Sequence, residues 1–297
     1  MLSGKTGEGR AGDGGGGWVG ISLIWKCFYL ELQLLILKFL FMSANKQKQL
    51  ESTISDLCFL SGVGIRPLNR DSRIDSNLFK LQLIDDNQVL TDADGEGDLN
   101  IDYAKRAEKF LEVYKSEVNT SLGYNEFNLA SELGECGTHP YGYLNGDSPI
   151  KPCIFLKFNK IWGWNPKPIT DEDFEKNDWP ASFKQHFDPL SEDEKNQVFV
   201  DCQGRYPADK EALNEGMTYI PATQGFPVKY FPYKGDKENY HSPLVVVQFD
   251  TSKMARFVGQ LIHVECRAYY KGVVHTTKTK TGMVQFEILL EEKLSLD

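Results

Sequence analysis

QLIHVECRAYY, residues 260–270, reads as a β-strand with two unlike sides. Ile262, Val264, Cys266, Ala268 and Tyr270 fall on one face; His263, Glu265 and Arg267 fall on the other. A period of two sends the first set to a core and the second toward water. Three more stretches share its β-branched and aromatic character: CIFLKF (153–158), LVVVQF (244–249) and MVQFEILLE (283–291). Loops rich in proline and aspartate separate them, and no helical pattern recurs between them as a parallel βαβ sheet requires. The expected fold is therefore mainly β, an antiparallel β-sandwich.

Upstream of these strands the pattern changes. Residues 103–118 (YAKRAEKFLEVYKSEV) place Ala107, Phe110, Leu111, Tyr114 and Val118 on one helical face, with Asp102 at the N-cap position. Asn119-Thr120-Ser121 follows, the one Asn-x-Ser/Thr sequon of the chain, which carries meaning only outside the cell. Residues 85–102 are acidic. Asp92, Asp94 and Glu96 imitate the start of a calcium loop, but its twelfth position is Tyr103 instead of a bidentate Glu, so a solvated acidic loop is expected.

Residues 1–17 are glycine-rich and polar and read as a disordered tail. Residues 18–42 (WVGISLIWKCFYLELQLLILKFLFM) are the most apolar stretch and are long enough to cross a bilayer, which takes about 20 residues. Lys26, Glu31 and Lys38 interrupt it, each at a cost of about 2.5–3.5 kcal/mol at the bilayer centre. The lysines can snorkel to the interfaces. Glu31 needs a partner or a proton, and it lies seven residues from Lys38 on roughly one helix face. A membrane helix and an amphipathic helix of a soluble domain both fit the pattern.

Length and composition bound the function. The 297 residues suffice for one large domain or two modest ones, and the 41% hydrophobic fraction is that of a globular protein. The net charge of −9 argues against a nucleic-acid partner, since phosphate binding needs a basic surface. No GxSxG, HExxH or GxGxxG occurs. His139, His186, His241, His263 and His275 are scattered without metal spacing, and His263 falls on the solvent side of its strand. The reading leans to a binding or structural role with no cofactor.

Six cysteines, Cys27, Cys58, Cys136, Cys153, Cys202 and Cys266, form no CxxC pair. Three readings stand for them: small buried apolar side chains, a zinc site seeded by Cys136-x-x-His139, or crosslinks of Cys136 to Cys153 and Cys202 to Cys266. A Cys202–Cys266 bridge would staple two sheets, or a loop to a sheet. By chain entropy it would give roughly 4 kcal/mol, and the shorter bridge roughly 3 kcal/mol.

Several stretches, taken together in order, carry a resemblance over roughly residues 60–292. They are GVGIRP (62–67), KFLEVYK (109–115), KPCIFLKFNKIWGWNPKP (151–168), DCQG (201–204), QGFPVKYFPYKG (224–235), SPLVVVQF (242–249) and HVECRAY (263–269). In these the chain resembles the β subunits of the P-type Na+/K+- and H+/K+-ATPases. The resemblance implies that Cys136 pairs with Cys153 and Cys202 with Cys266.

It further implies a non-catalytic, single-pass type II glycoprotein of the plasma membrane with an immunoglobulin-like β-sandwich ectodomain. Residues 1–17 would be a cytoplasmic tail, 18–42 a transmembrane helix in contact with lipid, 43–100 a membrane-proximal stalk with the acidic loop, and 101–297 the disulfide-bonded sandwich with one helix. The partner is a catalytic α chain, whose folding, trafficking and K+ occlusion the β chain supports. The exposed tract Tyr230, Phe231, Pro232 and Tyr233, with Tyr29 in the membrane, would contact it, and Asn119 would carry a glycan. Three features depart from the family pattern: no counterpart of the earliest disulfide, a charged span and a single sequon. The missing disulfide and the charged span favour an alternative, a diverged member acting in adhesion or at the nuclear envelope without a pump. A secreted β-sandwich hydrolase would instead show a cleft with paired carboxylates.

Overall fold

The computed structural model describes residues 62–68, 77–83, 99–144, 149–214, 216–275 and 281–292. The glycine-rich start, the apolar 18–42 segment with Tyr29, Cys27 and Cys58, and the acidic Asp92, Asp94 and Glu96 lie outside the described residues. Among the described residues no helix is long and apolar enough to cross a membrane.

Two β-sheets enclose the core. The first has four strands in the order β1 (Val63–Arg66), β3 (Cys153–Phe158), β7 (Val245–Phe249), β5 (Met217–Ile220). The second has five, in the order β2 (Leu78–Leu83), β9 (Met283–Glu292), β8 (Leu261–Tyr269), β4 (Gln197–Gly204), β6 (Gly225–Pro227). The four strands expected from the sequence are β3, β7, β8 and β9. The pairs are antiparallel except β2 with β9, which run parallel. A parallel pair needs a long crossover, and the whole chain from Leu83 to Met283 provides it. Strands β1 and β2 lie within the 43–100 segment read as a stalk.

The inner faces follow from register. Ile154 and Leu156 of β3 stand opposite Val247 and Val245 of β7, and Phe158 and Phe249 belong to the same faces by alternation. They meet the second sheet through Phe158–Phe226 and Phe249–Phe286, with ring centroids 5.0 and 6.2 Å apart. Ile262, Val264, Cys266 and Ala268 of β8 are each no more than 2% exposed, on the face that alternation assigned to the core. Strands β3 and β7 are buried on both faces, which is why they read as unbroken apolar runs.

Helices cover both outer faces. Helix α1 (Leu99–Leu111) begins four residues before the expected start, so Asp102 sits in its first turn and pairs with Arg106 at 2.9 Å instead of capping. The start is set by Asn100: its side-chain amide donates to the Gln82 carbonyl (2.8 Å) and its Oδ1 accepts the Gln82 N–H (3.2 Å), mimicking one more strand beside β2. The helix tightens to a 3-10 turn over Glu112–Lys115, and Tyr114 donates to the Ser242 carbonyl at 2.7 Å. Phe110 packs on Phe155 of the first sheet's outer face.

Past the short α2 (Leu129–Leu133), α3 (Asp171–Lys176) and α4 (Ala181–Phe187) carry a separate aromatic cluster on the second sheet. Phe183 stacks on Tyr269 at 4.1 Å, flanked by Trp179, Phe187 and Phe199. That face of β8 is therefore only partly open. His263 is half-buried, 3.5 Å from Asp209 and 3.6 Å from Glu287.

Candidate functional site

Cys136 and Cys153 are joined, with Cα atoms 5.8 Å apart. The sulfur of Cys136 is thereby engaged, and His139 lies exposed with its ring against Tyr141. The loop between the cysteines folds back along β3. The Cys153 N–H donates to the Tyr141 carbonyl (3.1 Å) and the Lys151 N–H to the Gly142 carbonyl (3.0 Å). Gly142 has φ +73°, and a Cβ there would lie 1.8 Å from the Lys151 oxygen, so only glycine fits. Tyr143 is fully buried, stacks on Tyr103 and donates its hydroxyl to the Cys153 carbonyl. Gly142, Tyr141 and Tyr143 of this loop thus have structural duties beside the crosslink.

Cys202 and Cys266 are also joined. They face each other in register on β4 and β8. The bridge therefore lies within one sheet and does not staple two sheets, or a loop to a sheet, as the sequence reading had it. All cysteines among the described residues are paired.

The 224–240 tract is held from below and behind. Tyr230, expected at the surface, is 3% exposed: its ring sits edge-on to Phe127, and its hydroxyl donates to Glu132 at 3.2 Å. Phe231 is half-buried against Trp164 and Phe158. Pro232 and Tyr233 are half-buried as well, and Tyr233 bridges to Trp162. Gly235 (φ +104°) closes the tract: a Cβ there would lie 2.0 Å from Cζ3 of Trp162. Half-exposed Trp162, Trp164, Phe231 and Tyr233 form one aromatic rim. The tryptophans were legible in IWGWNPKP, but no local spacing connects them with a tract some seventy residues on.

Asn119 is half-buried, and its Nδ2 donates to Asp236 at 2.8 Å. Asp236 also accepts from the Asn239 side chain, and these bonds hold its carboxyl below its ordinary value. The Asn119 N–H donates to the Asn239 carbonyl, while Thr120 and Ser121 are exposed. The sequon and the end of the aromatic tract are one local structure, joined by an aspartate that no motif flags.

The sequence profile of the family described as "Sodium / potassium ATPase beta chain" matches residues 5–286. The chain belongs to the sodium/potassium ATPase beta chain family. Relatives similar to it include sodium/potassium-transporting ATPase subunits beta-1 and beta-2 of Drosophila melanogaster. They are 38% and 37% identical over 162 and 143 residues, which cover 54% and 47% of this chain and 48% and 42% of those proteins. A probable sodium/potassium-transporting ATPase subunit beta-3 of Caenorhabditis briggsae is 32% identical over 163 residues, 54% of this chain and 43% of its own. The chain spans about half the length, or somewhat less, of these curated relatives.

In this beta-chain family member, His263 stands between the carboxylates of Asp209 and Glu287. Among the described residues no three His, Cys, Asp or Glu side chains gather as metal ligands. Burial lowers the pKa of His241, whose Nδ1 accepts the Phe127 N–H, and of His275, whose Nε2 lies 2.8 Å from the Ala268 carbonyl oxygen. Burial pushes the Asp201 carboxyl up to about 6 against the opposing pull of His186, Arg267 and Tyr219.

Proposed function

We propose that this chain is a non-catalytic beta subunit of a Na+/K+-transporting ATPase. In this reading it is a single-pass type II protein of the plasma membrane with residues 18–42 as its span in contact with lipid and Tyr29 against the partner. Its immunoglobulin-like ectodomain is extracellular, with a glycan on Asn119. It supports the folding, trafficking and K+ occlusion of a separate catalytic α chain. The observation that carries the reading is the family match over residues 5–286. Two bridged cysteine pairs accord with an oxidising compartment. The aromatic rim of Phe231, Pro232, Tyr233 and Trp162 suits docking on another protein, because rigid rings lose little freedom on contact. Tyr230 acts beneath it as a support.

The test is purification of the full chain from its native membranes in mild detergent, with mass spectrometry of what accompanies it. A near-stoichiometric P-type ATPase chain is expected. A fully extracted preparation without one would sink the reading. Gly235→Ala, which forces Trp162 aside, is expected to lower the amount of α chain recovered at least about threefold while the two disulfides stay formed.

A further inference from the structure

A cavity of about 330 Å³ opens between the end of α1, the end of β3 and residues 236–242. Lys157, Lys160 and Lys237 line it, and Phe110, Tyr114 and Tyr240 form much of its apolar wall. We propose that this cavity is a binding site for one oxyanion, a phosphate, sulfate or carboxylate group, carried on a small apolar or aromatic body.

Lys157 is the observation that needs a partner. It stands on the outer face of β3, half-buried, with Nζ 5.3 Å from the Phe110 ring centroid. Among the described residues it has no ion pair. Its charged neighbours are cations: Arg66 on β1, Lys160 and Lys237. Burial, followed by these cations, pushes it down to about 8. A buried charge is ordinarily paired, because desolvation without compensation is costly.

The carboxylates nearby do not fill the role. Glu238 lines the rim and is exposed. Asp236 is engaged by Asn119 and Asn239. Lys160 is aimed by its bond to the Lys237 carbonyl (2.7 Å) and sits over the Tyr240 and Tyr233 rings at 5.4 and 5.7 Å. An oxyanion among the three ammonium groups would relieve their repulsion, and the aromatic wall would take the ligand's body. The inference is independent of the pump reading.

The experiment is a 31P NMR titration of phenyl phosphate with the full chain in an uncharged detergent. Saturable binding at pH 7 is expected, weakening by pH 9 as Lys157 loses its proton. Lys157→Met should weaken it at least about tenfold and Lys237→Met, at an exposed position, severalfold, while Lys253→Met leaves it unchanged. Competition separates the sources of the anion: displacement by inorganic sulfate before short-chain phosphatidylserine marks a free anion, and the reverse order marks a lipid headgroup. Absence of saturable binding, or equal affinity in the folded Lys237→Met and wild-type chains, overturns the proposal.

Discussion

The hydroxyl of Tyr219 takes the place of a strand for Cys202. It accepts the Cys202 N–H at 2.6 Å and lies 3.3 Å from the carbonyl oxygen of the same residue. Strand β6 pairs with β4 only from Gln197 to Phe199, and the Gln224 carbonyl extends the ladder to Val200. Beyond that point the edge of β4 would be open. Tyr219 reaches it from β5, in the other sheet, and so ties the two sheets together along the side where both have edge strands.

Tyr219→Phe removes that substitute and leaves a buried N–H without a partner. A loss of about 1–3 kcal/mol is expected in urea unfolding. The slope against urea should not change, since the surface exposed on unfolding is the same. A wild-type midpoint in this variant would show that water replaces the hydroxyl.

The two disulfides close loops of unequal length, with sequence separations of 64 and 17 residues. Replacing Cys202 and Cys266 by alanine should cost about 4 kcal/mol, and Cys136 with Cys153 about 3 kcal/mol. Thermal unfolding of the two double variants ranks them. The opposite order would mean that native packing around Gln248 and Glu135, which hydrogen-bond beside the shorter bridge, outweighs loop entropy.

Asp201 should oppose stability at neutral pH. Its carboxyl is raised from 3.8 to about 6, chiefly by burial, so the folded chain holds a proton that the unfolded chain has lost. Between those values stability falls as pH rises, and above about 6 the whole penalty is present. Asp201→Asn is expected to stabilise the chain by roughly 1–2 kcal/mol at pH 7.5 and to give no gain at pH 4, with solvent access to the partly exposed site reducing the ideal figure. Equal effects at both pH values would assign the change to packing instead of charge.

Legibility in the sequence followed burial. Strands β3 and β7, covered on both faces, and β8, covered on one, each wrote their surroundings into a run or an alternation. Strands β1 and β2 did not: VGIR is four residues long, Lys80 and Gln82 break the apolar run of LFKLQL, and β2 is fixed by β9 far along the chain. Helices α3 and α4 were also missed. Six and seven residues hold too few turns for a helical stripe, and Phe183 and Phe187 gain meaning only under Tyr269 and Phe199. The tyrosines between prolines and glycines read as a surface tract because the acceptor that buries Tyr230, Glu132, comes from a helix almost a hundred residues upstream. Local pattern offered the Cys136–Cys153 and Cys202–Cys266 crosslinks only as one reading among three, since six cysteines allow fifteen full pairings and no spacing selects among them.

The parallel pairing of β2 with β9 also sets a timetable. One edge of β2 is satisfied locally: Asn100 binds Gln82, and the Tyr103 hydroxyl accepts the Lys80 N–H at 3.2 Å. The other edge waits for Leu289 and its neighbours on β9, far later in the chain. At about 5–20 residues per second the nascent chain carries that edge unpaired for roughly 10–40 s. Among the described residues helix α1 is then the escort of β2, and the arrival of β9 is the step that covers the open edge.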